Sequence, residues 1–253
     1  MKGIILAGGL GRRLEPVTII TNKHLLPVYN KPMIYYPIQA LVEAGIKDIM
    51  IVTGGNNAGD FLKLLGNGRE FGLKHINYTY QRGEGGIADA LSLAEHFAHN
   101  QKIVVILGDN VIEKSIKKYV HRFSRQPQGA RILIKQVSDP ERFGVVRLKG
   151  EKIISIEEKP KKPKSGHIVT GVYMYDNQVF DIIRTLKPSS RGELEITDVN
   201  NAYLRRNQLC YDILDGYWTD CGLPETIYRA ATLVRKKLLS QKKKGAVSEG
   251  DCP

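Results

Sequence analysis

The alternation of short apolar runs with helical patterns through the first half of the chain restricts its fold more than any other feature. Four runs read as strands: Gly3–Ala7, Asp48–Val52, His75–Tyr80 and Lys102–Leu107. The first is apolar on both faces, as a strand in the middle of a covered sheet must be. Between them, Met33–Glu43 carries apolar residues at helical spacing and ends at Ala44-Gly45, a C-cap pair. Phe61–Leu65, Ile87–Phe97 and Ile116–Phe123 read as further helices. Strands that recur roughly every 27 residues with helices between them imply parallel crossovers and a sheet covered on both faces. After Arg131 the rhythm changes. Arg131–Gln136, Gly144–Leu148, Lys152–Glu157 and Ile168–Tyr175 are strands without long helices between them, with Lys149-Gly150-Glu151 as a hairpin turn. Helices Asn177–Leu186 and Ile196–Arg206, a strand Leu209–Leu214 and a helix Pro224–Leu239 follow. The reading is α/β: a Rossmann-like three-layer sandwich with a mostly parallel central sheet and an inserted β-rich part. It spans 1–239 as one domain, with halves at about 1–130 and 131–239. Residues 240–253, charged and aperiodic, read as a disordered tail.

The first strand runs into Gly8, Gly9 and Gly11. Glycine takes positive φ and lets a ligand approach the main chain closely. Amide N–H groups presented by such a loop form an anion site without any side chain. Arg12 and Arg13 come next, and Lys23 closes the segment in Asn22-Lys23-His24-Leu25-Leu26-Pro27. A glycine loop followed by fixed cations suits a polyphosphate. Two commoner loops are excluded. No lysine followed by a hydroxyl residue completes a Walker loop. The dinucleotide fingerprint fails because Gly9-Leu10-Gly11-Arg12-Arg13 runs into Leu14, which argues against a NAD-linked dehydrogenase.

Composition narrows the function classes further. At 253 residues, 42% hydrophobic, the chain can bury a substantial core. No apolar run approaches the ~20 residues of a membrane span. The first apolar run stops at Gly8, so no secretory leader and a cytoplasmic protein are expected. Cys210, Cys221 and Cys252 are odd in number and lack CxxC spacing, which fits neither a disulfide framework nor zinc. The net charge of +12 could serve nucleic acid or small polyanions. Much of the excess sits in Arg235-Lys236-Lys237 and Lys242-Lys243-Lys244, and no aromatic platform or nucleic-acid module accompanies it, so no nucleic-acid partner is expected.

Later segments add groups that could serve a site. Gln81, in Gln81-Arg82-Gly83-Glu84-Gly85-Gly86, offers an amide able to read the imide edge of a uracil-type base, although the segment alone is also an ordinary turn. Asp109, after Leu107-Gly108, lies beyond the carboxyl end of a strand, where open parallel sheets bind ligands. A hard carboxylate beside phosphates is a usual means of holding Mg2+, and Asp220 in Trp218-Thr219-Asp220 is the second candidate. An Asp-Asn turn such as Asp109-Asn110 can equally be only an Asx turn.

Taken together, LAGGLGRRLEPVT, NKHLLPV and NKPMIYYPI resemble the signature of the sugar-phosphate nucleotidyltransferases, in particular of the branch that joins dTTP to glucose 1-phosphate. Arg12 stands where most members have a small hydroxyl residue, and the family's catalytic arginine falls on Arg13. Later pieces match in order over residues 2–222: Gln81 with Gly86, Leu107-Gly108-Asp109-Asn110, Arg142-Phe143-Gly144, Ile156-Glu157-Glu158-Lys159-Pro160, Val169-Thr170-Gly171 and Arg191-Gly192-Glu193-Leu194-Glu195-Ile196-Thr197-Asp198. The resemblance implies Arg13 and Lys23 as catalytic residues. It places the nucleotide on Leu6, Gly8, Gly9, Gly11, Arg13, Gln81, Gly86 and Asp109. The sugar phosphate falls to Asn110, Gly144, Glu158, Lys159, Val169 and Arg191, with Mg2+ on Asp109 and Asp220. It also implies a homo-oligomer. A UTP-using enzyme, another hexose 1-phosphate, or a non-catalytic nucleotide-sugar-binding subunit are the alternatives. The last would be marked by loss of Arg13, Lys23, Asp109 or Asp220, all of which are present. Longer relatives carry a C-terminal regulatory extension, and with so little sequence after Asp220 no feedback through such a site is expected.

Overall fold

The computed structural model describes residues 1–55 and 57–248, with side chains as far as Ser240. In chain order its strands are β1 (Lys2–Ala7), β2 (Pro27–Val28), β3 (Lys31–Pro32), β4 (Asp48–Gly54), β5 (His75–Gln81), β6 (Ile103–Leu107), β7 (Asn110–Ile112), β8 (Ala130–Gln136), β9 (Gly144–Lys149), β10 (Lys152–Glu158), β11 (His167–Tyr175), β12 (Leu209–Ile213) and β13 (Trp218–Asp220). The helices are α1 (Tyr35–Glu43), α2 (Ala58–Leu65), α3 (Ile87–Ser92), α4 (Glu95–Ala98), α5 (Lys117–Arg125), α6 (Gln178–Thr185), α7 (Ile196–Arg205) and α8 (Pro224–Ser248).

Alternation along β1 explains the layering. Ile4 and Leu6 face one core and Ile5 and Ala7 the other, because successive strand side chains point to opposite faces. Helices α3, α6 and α7 cover the first face and α1, α2 and α5 the second. Each fully buried Ile or Leu contributes about 1.5–3 kcal/mol, so a strand apolar on both faces can be stable only between two helical layers. β6, β1, β4 and β5 are parallel, as the strand spacing predicts. β11 joins β6 antiparallel and carries β8 on its other edge, while the β9–β10 hairpin pairs with the start of β11. The result is a mixed nine-stranded sheet whose parallel half comes first in sequence.

A smaller layer has no counterpart in the sequence reading. β7 and β13 form an antiparallel ribbon in which Asp220 pairs with Asn110. Three-residue strands carry too little periodicity to be read from sequence. This ribbon, the β2–β3 hairpin and α8 share a third apolar cluster around Val28, Met33, Val111, Cys221 and Val234.

Two helices depart from expectation. The pattern over Ile87–Phe97 is interrupted after Ser92, whose hydroxyl donates to the Asp89 carbonyl at 2.7 Å, a back-bond that bends helices. The tail expected to be disordered from residue 240 is helical as far as Ser248, and 249–253 lie outside the described residues. Pro224 occupies the first position of α8, where its missing N–H costs nothing.

Candidate active site

Two pockets open at the carboxyl ends of the parallel strands and meet at Ile87, Leu107 and Asp109. The first is lined by Leu6 of β1 and Gly8 and Gly9 just after it, by Lys23 and His24, and by Gln81 at the end of β5 and Gly86 in the loop that follows. The glycines are there for close approach. A Cβ on Gly11, whose φ is 71°, would stand 2.9 Å from the Lys23 Cβ. A Cβ on Gly8 would stand 2.7 Å from the Gln81 Oε1. Gly11 itself lines neither of these two pockets; it packs the loop onto Lys23.

Lys23 starts a short 3-10 turn capped by Asn22, whose side-chain oxygen accepts the His24 N–H at 3.0 Å and lies 2.7 Å from the His24 Nδ1. His24 is fully enclosed. Burial, reinforced by the Lys23 charge, pushes its pKa down to about 3, so the ring is neutral at physiological pH. The Lys23 ammonium donates to the Asp109 carboxylate at 2.6 Å. Burial opposes ionisation of Asp109, but Lys23 together with hydrogen bonds from Lys23 and Asn110 outweighs it and holds the pKa down to about 2. The pair spans 86 positions of sequence and sits where the pockets join.

Gln81 is buried and oriented. Its amide nitrogen donates to the Gly86 carbonyl at 3.1 Å and to the Asp89 carboxylate at 2.7 Å. With its N–H groups used, the oxygen is what it offers to the pocket, so Gln81 acts there as an acceptor.

The second pocket is lined by Arg13, Asn110, Gly144, Glu158, Lys159, Val169 and Asp220, among others. Arg13 therefore lies on this side, and its guanidinium is 3.2 Å from the point a Cβ on Gly222 would occupy. Asp220 is held by Arg142 at 2.8 Å, and Arg142 is held in turn by Asp139 at 2.8 Å. Burial and the Asp109 charge push the Asp220 pKa up, against the pull of Arg142, Lys23 and Arg13. The resemblance assigns Gly144 but no role to Arg142, and a lone arginine in a 3-10 turn gives no local signal of its own.

Asn110, which lines the second pocket, is itself held by three hydrogen bonds. Its oxygen accepts from the Gly171 N–H at 3.1 Å and the Trp218 indole at 2.6 Å, while its nitrogen donates to Asp109 at 3.0 Å. It ties Asp109 to β11 where the pairing of that strand with β8 shifts register. Gly171 must be glycine, since a Cβ there would lie 2.5 Å from the Asn110 amide. Gly171→Ala is expected to lose about 1–3 kcal/mol through this clash and to lower turnover by displacing Asp109. Melting temperature and activity falling together check this; an unchanged melting temperature would mean that the amide moves aside freely.

Arg191 lines neither of these two pockets. Its guanidinium faces Glu195 at 2.8 Å, Glu193 at 3.3 Å and Glu158 at 3.6 Å. Glu158 also accepts from the Thr197 hydroxyl and lies 3.5 Å from the Lys159 ammonium. Among the described residues no three His, Cys, Asp or Glu side chains form a metal cluster. Asp109 and Asp220 both line the second pocket, and a pair of carboxylates fits a Mg2+ ion, which takes few protein ligands and completes its shell with phosphate oxygens and water.

Residues 2–237 match the nucleotidyl transferase family. The chain belongs to that family. It is similar to the glucose-1-phosphate thymidylyltransferase of Neisseria meningitidis, with 45% identity over 93% of this chain and 83% of the relative. It is also similar to the crystal structure of a Bacillus anthracis protein assigned as a glucose-1-phosphate thymidylyltransferase in complex with a sucrose. The identity is 54% and the TM-score 0.89, over 93% of this chain and 95% of that one. A UDP-glucose pyrophosphorylase complexed with UDP-glucose is similar at 26% identity and a TM-score of 0.82, over 93% of this chain and 98% of that one. Among the described residues no helix is long and apolar enough to cross a membrane.

Proposed function

We propose that the protein joins dTTP and glucose 1-phosphate to form dTDP-glucose and pyrophosphate. The observation that carries the reading is the meeting of the two pockets at Asp109, with Lys23 bonded to it. Two anions must be brought together there, so positioning and positive charge supply most of the catalysis, and no covalent enzyme intermediate is needed. The phosphate of the sugar attacks the α-phosphorus in line and pyrophosphate leaves. The nucleotide occupies the glycine-loop pocket and the sugar phosphate the second, acceptor pocket. The glycine-loop amides hold the triphosphate, and Lys23 stabilises charge at the α-phosphoryl group. Arg13 lies on the acceptor side, where it can stabilise the same centre from the attacking face. Lys159 lines the acceptor pocket and aims the attacking phosphate; Arg191 joins it only by exchanging its carboxylate partners for that phosphate. Asp109 and Asp220 would hold Mg2+, which when bound neutralises phosphate charge and orients the triphosphate.

Base choice follows from Gln81. Its oxygen can accept the imide N–H of thymine or uracil, whereas cytosine would oppose it with a second acceptor. Gln81→Ala is expected to cost about 1–3 kcal/mol in kcat/KM for dTTP. Loss of preference over CTP should accompany it. Turnover of ATP or GTP comparable to dTTP would overturn the base assignment. UTP is the second reading, supported by the likeness to a UDP-glucose pyrophosphorylase. The two bases differ by a methyl, which an apolar contact discriminates by only about 1–3 kcal/mol. Pyrophosphate release measured across four triphosphates and three hexose 1-phosphates decides between them.

A further inference from the structure

One ion pair belongs to neither pocket's lining as a whole and yet joins both sides of the nucleotide pocket. The Arg12 guanidinium meets the Glu84 carboxylate at 2.6 Å. Arg12 opens the 3-10 turn after Gly11, and Glu84 lies in the Gly83–Gly86 loop that carries the base-reading Gln81 wall. The pair therefore spans from the phosphate loop to the base loop. Both side chains are well exposed, 69% and 45%, so the pair adds little to folding.

We propose that Arg12 is a positioning residue for the β- and γ-phosphates of the incoming triphosphate, held in waiting by Glu84. This rests on the reading of the glycine-loop pocket as the triphosphate site. The physical argument is one of exchange. An exposed carboxylate offers Arg12 one negative charge in high dielectric, where the interaction is weak. A triphosphate tail seated on the Gly8 and Gly9 amides offers several charges and bidentate oxygens close to the same turn. Arg12 leaves Glu84 for the phosphates, and the freed carboxylate, now facing an anion, swings toward solvent. Lys23 and Arg13 are committed elsewhere, to Asp109 and to the acceptor side. Arg12 is the cation of this segment whose partner is both exposed and easily surrendered. Glu84 is then a competitor, and Arg12 and Glu84 act on the nucleotide with opposite signs.

That opposition separates the proposal from a purely structural tie. Steady-state kinetics of Arg12→Ser, Glu84→Gln and the double variant, in both reaction directions, test it. Arg12→Ser is expected to raise KM for dTTP about tenfold, the worth of one charge-assisted contact. In the reverse direction it should raise KM for pyrophosphate in parallel, leaving KM for glucose 1-phosphate and for dTDP-glucose in place. Glu84→Gln is expected to lower KM for dTTP about threefold by freeing Arg12 and removing a like charge. In the Arg12→Ser background, Glu84→Gln should gain less. Both single variants raising KM for dTTP would overturn the proposal and leave a structural clasp. So would a KM for pyrophosphate that Arg12→Ser does not move. Wild-type turnover of dTTP with glucose 1-phosphate stands as the separate control on the function itself.

Discussion

Asp109→Asn and Asp220→Asn are each expected to lower turnover about a hundredfold or more, and the double variant should be little worse than either single. On the proposed reading the two carboxylates would act as one unit on a shared Mg2+, and residues that do so are strongly non-additive. Their effects on stability should differ. From sequence, two neighbouring carboxylates are expected to repel, so that removing either charge would hold or raise the melting temperature. The structure shows a counter-cation on each: Lys23 on Asp109 and Arg142 on Asp220. Asp109→Asn leaves the largely buried Lys23 without its partner, a loss of about 3 kcal/mol. In Asp220→Asn, Arg142 keeps Asp139, and a carboxyl whose pKa is already pushed up gives away less charge energy. Thermal melts and pyrophosphate release on the two variants therefore read out different things. Asp220→Asn should stay folded and nearly inactive. Near wild-type turnover in either variant would remove that carboxylate from the site.

The second large effect is acid lability through His24. The ring ionises at 6.5 in the unfolded chain and at about 3 in the folded one. The unfolded state therefore binds a proton that the folded state refuses. The stability this represents is fully present above pH 6.5 and is lost as pH falls toward 3. One proton corresponds to 1.36 kcal/mol per pH unit, so about 2 kcal/mol should go between pH 6.5 and 4.5. Asp109 adds to the loss only lower, between about 4 and 2, where its depressed pKa matters. Asp220 works the other way, because a raised carboxyl pKa favours the folded state as protons bind. His24→Gln keeps a donor for Asn22 and removes the titration. Its unfolding free energy should be flatter than wild type from pH 6.5 to 4.5 by close to one proton. Parallel pH profiles for the two proteins would show that the acid loss comes from other groups.

How much of this was written in the chain can be seen from particular residues. β1 was legible because Ile4, Ile5, Leu6 and Ala7 are apolar without a break, and only a sheet covered on both faces can accept such a run. Gly8, Gly9 and Gly11 were legible because glycines clustered just after a strand mark a loop that lets other groups approach the backbone closely, as Gln81 does at Gly8 and Lys23 at Gly11. Local chemistry of this kind needs no partner from elsewhere. The pairings that make the site do. Lys23 with Asp109, Asp220 with Arg142, and Asn110 with Gly171 and Trp218 each join residues distant in sequence, and no spacing rule encodes such contacts. They exist because the β7–β13 ribbon lays Asp220 beside Asn110 at the end of the parallel sheet, where strands of three residues leave no periodic trace. The same holds for Arg191, which looks like a free phosphate-binding arginine in sequence and is surrounded by three carboxylates in the fold. Sequence by itself determined which groups this protein carries and the class of sheet that holds them. Tertiary structure alone decided which charges meet, because Coulomb energy and desolvation depend on distance and burial, and neither is a property of the chain until it has folded.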